Sequence, residues 1–174
     1  SGSNVVFVCG NAICEGPESS FNCQADCGAP PITETKLFEQ TLEQKTPLDI
    51  ENVLRDLGKE ENQIASAVNI QDMVVVERTI QAYEITSAAQ PNYRSEISVR
   101  VRNTGTRPLL GATFIERIPK SIIPTVNDIE SSVAYRILEA DPIIEFELGN
   151  ISSGAEVEFT YVLPASVDIS SLNQ

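Results

Sequence analysis

The sequence predicts a mainly β chain: an antiparallel β-sandwich preceded by a small disulfide-rich module and a short helical region. Three observations carry that expectation. From residue 73 onward apolar residues recur with a period of two, the mark of half-buried strands. Turn-forming residues interrupt the alternation so as to leave about six short strands, as in a sandwich. All four cysteines lie in residues 9–27, CGNAICEGPESSFNCQADC, a stretch without hydrophobic periodicity.

Composition narrows the function before any motif does. The chain has 174 residues, room for one or two domains, and a 41% hydrophobic share that can build a core. Its formal charge of −13 argues against nucleic acid and anionic membrane surfaces, which select clustered Lys and Arg. It suits cations, salty media or a basic protein surface. Histidine is absent, which removes the commonest general base and a common metal ligand. No run approaches 18 apolar residues, so direct membrane insertion is not expected. Ser1-Gly2-Ser3 reads as an appended leader rather than a targeting signal.

In chain order, residues 4–8 (Asn4-Val5-Val6-Phe7-Val8) are a short apolar run, read as a cap on the cysteine segment or a strand that docks on the larger domain. The disulfide-rich module spans residues 1–28. It is too small to bury enough apolar surface to hold itself, so it needs disulfides, a metal or both. Pro30 and Pro31 then stiffen the connection. Residues 29–71 form a linker and helical region, with 36–71 helical or mixed. Asp49 is a natural N-cap, Ile50, Val53, Leu54 and Leu57 share one helical face, and Gly58 suits the C-terminus. A second helix over 60–68 would align Ile64, Ala65 and Val68.

The sandwich is expected over residues 72–166, with strands at 73–85, 95–103, 109–118, 133–138, 143–148 and around 157–163. Residues 167–174 are left as a C-terminal tail. In 95–103, Ile97, Val99 and Val101 alternate with Glu96, Ser98, Arg100 and Arg102, giving one dry and one wet face. Asn103-Thr104-Gly105 marks a turn, Asp141-Pro142 a break, and 149–154 a further turn.

The cysteine spacing C-x4-C-x8-C-x3-C fits structural zinc poorly, since only the first interval matches a zinc pairing. Two disulfides are expected instead. Four cysteines allow three pairings, which the sequence does not choose among; the interleaved one, Cys9 with Cys23 and Cys14 with Cys27, is the working guess. Asn11, Glu15, Glu18, Asn22 and Asp26 supply oxygen atoms suited to a hard cation, which makes Ca2+ the expected ion if one binds.

These residues also carry a resemblance. The segment resembles the cysteine-rich C-G-[DN]-G-x-C-E-x-x-E…C-x-x-D-C motif of secreted and cell-surface proteins, notably archaeal ones, through its cysteines, Gly10, Asn11, Glu15, Glu18 and Asp26. Asn11 stands where aspartate is usual and Ala12 where glycine is usual. The resemblance implies an extracellular, disulfide-bonded, calcium-binding mini-module. Over roughly 73–164 the chain is similar to Ig-like domains of archaeal surface proteins, through Asn103-Thr104-Gly105, Ile118-Pro119-Lys120-Ser121, Asp141-Pro142-Ile143-Ile144, and Gly154 leading to Tyr161. That similarity implies an Ig-like antiparallel β-sandwich.

Asn150-Ile151-Ser152 is an N-glycosylation sequon expected in the 149–154 turn. No phosphate-binding glycine loop is present, and no histidine accompanies any serine or threonine nucleophile. Glu145 and Glu147 alternate with core residues and read as a wet strand face rather than an acid–base pair. The sequence therefore points to a non-enzymatic extracellular structural or adhesion module. Its partners would be other surface or envelope proteins, or itself. One alternative is an assembly subunit of a pilus-like or envelope complex docking through residues 4–8 or the helices. A carboxylate-based enzyme fragment is the other.

Overall fold

The computed structural model describes residues 9–14, 18–20, 22–29, 32–44, 50–87, 90–122, 129–139 and 143–172. The expectations for residues 4–8, Glu15, Asp49 and Asp141-Pro142 fall outside them. Within them the chain forms four short helices and eight strands arranged as two antiparallel sheets. The fold is a β-sandwich with a disulfide-bonded segment near its N-terminus, as the sequence predicts.

The first sheet runs β1 (Thr33–Gln44), β2 (Val74–Ser87), β3 (Gln90–Asn103), β8 (Glu156–Leu163) and β5 (Glu130–Ser131) in that spatial order. The second runs β4 (Leu109–Arg117), β7 (Ile143–Ile151) and β6 (Tyr135–Glu139). Each pairing is antiparallel. β2 and β3 pair over 14 residues without a register break, because the alternation that buries Val76, Ile80 and Ala82 matches the one that buries Ile97, Val99 and Val101. The inner faces meet around Phe114, Phe146, Phe159 and Tyr161. Ring centroids there lie 4.9 Å apart for Phe146–Phe159 and 5.0 Å for Phe146–Tyr161.

Two elements differ from the sequence reading. Residues 33–44, expected in the linker and helical region, are a strand instead. Its Glu, Gln, Lys and Leu content favours helix locally, but pairing along β2 and the packing of Phe38 on the core decide the outcome. Residues from 167 onward, expected as a tail, close one end of the sandwich: Val167 and Leu172 are buried, and α4 (Ile169–Leu172) starts after Asp168. Buried Ser95 holds this segment, donating from Oγ to the Ala165 carbonyl at 2.7 Å and accepting from the Val167 amide at 2.9 Å.

The helical expectation holds from residue 50. α2 (Ile50–Asp56) buries Ile50, Val53 and Leu54. It ends at Gly58 in the left-handed region (φ 70°), with the Gly58 amide on the Arg55 carbonyl and the Lys59 amide on the Leu54 carbonyl. α3 (Glu61–Gln71) runs longer than expected and packs Ile64 against Ile50 and Leu54, with Ile115 of β4 beneath.

Candidate functional site

The described part of the cysteine segment is built around Asp26. α1 (Gln24–Cys27) is a single turn between two cysteines, and it projects the Asp26 carboxylate onto the loop at residues 10–12. Asp26 Oδ2 accepts from the Gly10 amide at 2.7 Å and the Asn11 amide at 3.2 Å, and Oδ1 accepts from the Ala12 amide at 2.8 Å. Three successive N–H groups thus wrap one carboxylate, the backbone concavity that suits an anion. The turn needs positive φ at Gly10 (105°) and at Ala12 (66°), the latter where the resembled motif carries glycine. Partial desolvation acts to raise the Asp26 pKa, but the hydrogen bonds from Gly10, Ala12 and Asn11 outweigh it and hold the carboxyl below its ordinary value.

The disulfides interleave, joining Cys9 to Cys23 and Cys14 to Cys27, with Cα–Cα distances of 5.6 and 4.8 Å. No cysteine is free. The Cys23 sulfur lies 3.4 Å from Asp26 Oδ2, so carboxylate, loop and cross-link meet at one point.

The five expected calcium ligands are placed as follows. Asn11 Oδ1 accepts from the Ile13 amide at 2.9 Å, and Asn22 Oδ1 from the Ser19 amide at 2.7 Å, so both side chains cap their own turns. Asp26 faces backbone donors. Glu18 is half-buried, and Glu15 lies outside the described residues. Among the described residues, the acidic and sulfur groups that converge within 4.8 Å are Asp26 with Cys9 and Cys23, whose sulfurs are committed to a disulfide and offer no thiolate. Backbone N–H groups hold the Asp26 carboxylate in place.

Asn150 lies within β7, not in a turn, because the strand continues to buried Ile151. Its Oδ1 accepts from the Gly111 amide at 2.9 Å, while the residue remains exposed.

A second polar group sits in the core, and the sequence reading missed it. Arg78 of β2, Glu116 of β4 and Tyr161 of β8 are each at most 2% exposed. Arg78 Nη1 donates to Glu116 Oε1 at 2.9 Å, and Tyr161 Oη donates to Glu116 Oε2 at 3.1 Å. Burial pushes the Glu116 carboxyl above the usual carboxylate range, although Arg78 and Tyr161 pull it down. Burial also pushes the Tyr161 hydroxyl well up, with Glu116 adding to the rise. The signal was legible: Arg78 is in phase with inward-facing Val76 and Ile80, and Glu116 with Phe114 and Ile118.

Comparisons with protein-family models, with curated proteins and with solved structures find no match to this chain. No helix among the described residues is long and apolar enough to cross a membrane.

Proposed function

We propose that this chain is a non-enzymatic extracellular module of a cell-surface protein, serving adhesion or surface architecture. The observation that carries this reading is the pair of interleaved disulfides organised on Asp26 in a segment too small to hold itself by burial. Such cross-links form and persist in oxidising compartments. A carboxylate-based activity finds no support in the buried acid: Glu116 is closed inside the sandwich and already paired with Arg78. The module works as a rigid, acidic building block whose partners are other surface or envelope proteins.

Two measurements test this. Mass spectrometry of unreduced protein from its native source should recover peptides joining Cys9 to Cys23 and Cys14 to Cys27, in the extracellular or surface fraction. Reduced thiols in an intracellular fraction would overturn the reading. Melting with calcium and with EDTA, disulfides intact, tests the expected Ca2+: a higher melting temperature at saturating calcium supports the ion, with Glu15 and Glu18 as the first ligands to substitute, and an unchanged temperature removes it.

A further inference from the structure

An apolar groove of about 350 Å³ runs along β4, the edge strand of the second sheet. Among the described residues β4 pairs only with β7, so its other edge is open. Residues 109–115 form one side of the groove, Leu54, Ala67 and Ile70 of the helices the other, and Val76 and Val101 the floor. Leu110 is 75% exposed and Ile70 44%. An open strand edge above an apolar floor is the geometry of strand addition, where main-chain hydrogen bonds hold an extended segment and its alternate side chains fill the floor.

We infer that this groove accepts residues 4–8 of a second copy of the chain, Asn4-Val5-Val6-Phe7-Val8. The inference extends the surface-module reading to self-assembly. Three observations select this occupant. The groove is electrically quiet in a chain of net charge −13, with Lys59 and Glu145 its only charged lining residues, and residues 4–8 carry no charge. Of the stretches outside the described residues, this is the only run of four apolar side chains. The third is placement. The cysteine segment joins the sandwich at Thr33, which pairs with Thr86, whereas the groove floor includes Val76, ten residues away along β2. Ten strand residues span roughly 33 Å, so the attachment point of the cysteine segment and the groove lie toward opposite ends of β2. In an end-to-end stack a neighbour's cysteine segment therefore meets this groove. The contact is head-to-tail, and head-to-tail contacts that do not close make filaments.

The test is solution mass by light scattering across a concentration series, with disulfides oxidised. The full chain should form a ladder of multiples of 19.0 kDa. A chain lacking residues 1–8 should stay monomeric, and so should Leu110→Arg, which charges an exposed rim position and leaves the core intact. Mixing these two should give heterodimers and stop there, because one retains only the acceptor and the other only the donor. Amide exchange should slow across residues 109–115 in that heterodimer. Three results would overturn the inference: a full chain that is monomeric at every concentration, oligomers that survive both changes, or β4 protection that depends on residues 4–8 within a monomer. A monomer whose disulfides are intact and which is found outside the cell would leave the surface-module reading standing.

Discussion

Arg78 and Glu116 face each other across the sandwich at 2.9 Å, one from each sheet, with side chains 2% and 3% exposed. An ion pair there makes little net stability, because both groups lose their hydration; its effect is to make any arrangement that separates them costly. Glu116→Ala or Arg78→Ala should therefore cost about 3–5 kcal/mol by leaving a buried charge without its counter-charge. The double replacement Arg78→Met with Glu116→Leu should recover most of that loss. Denaturant unfolding measures both, and a double variant no better than the singles would contradict this account.

Acid acts on two carboxyls with opposite sign. Asp26 is held below its ordinary value of 3.8, so its contribution is present above that value and is lost as pH falls through the folded pKa. Glu116 is raised above 4.5, so its contribution is present below that value and is lost as pH rises through the folded pKa. Asp26→Asn should lower the melting temperature of the cysteine segment at pH 7 and converge on the unmodified protein near pH 2. Glu116→Gln should remove the slope of opposite sign. Melting curves between pH 2 and 7 read both.

Asn103 shows what the Asn103-Thr104-Gly105 turn is for. The residue is fully buried. Its Nδ2 donates to the carbonyls of Arg107 and Ile151 at 2.7 and 3.1 Å, and its Oδ1 accepts from the Gly105 amide at 2.9 Å. A side chain on Gly105 would press within 3.1 Å of Met73 Sδ. Asn103→Ala should cost about 2–3 kcal/mol, since it strands buried backbone partners. Asn103→Asp should fare no better, because it loses the donor and buries a charge. Urea midpoints check both.

The disulfide between Cys14 and Cys27 closes a separation of 13 residues. Replacing both cysteines by serine should cost about 3 kcal/mol through the entropy of the unfolded chain. The loss should fall on residues 9–29, with the sandwich amides keeping their protection in hydrogen exchange. Simultaneous loss of protection in both would show that segment and sandwich unfold as one unit.

Ala12 holds a left-handed backbone that disfavours a Cβ. Ala12→Gly should stabilise the segment by about 0.5–1 kcal/mol, the relief of strain exceeding the added flexibility of the unfolded chain. Slower opening of the residue-12 amide, one of the three bonded to Asp26, would report it.

The fold class, the two helices after residue 50, strands β2 and β3 and the cross-linked N-terminal segment were readable from the residues alone. All rest on local periodicity and on covalent chemistry with few solutions. Val76, Ile80, Ile97 and Val99 show their face wherever the strand lies, because side chains alternate regardless of context. Three features came from long-range packing instead. Residues 33–44 became a strand because β2 offered an edge, against their own helix-favouring composition. Asp26 came to accept from the Gly10, Asn11 and Ala12 amides because α1 aims it at a loop 14–16 residues earlier in the chain. Arg78 and Glu116, 38 residues apart, became partners because two sheets closed over them. Each is a contact between distant residues, and no local pattern encodes which distant group will satisfy a charge once water is gone.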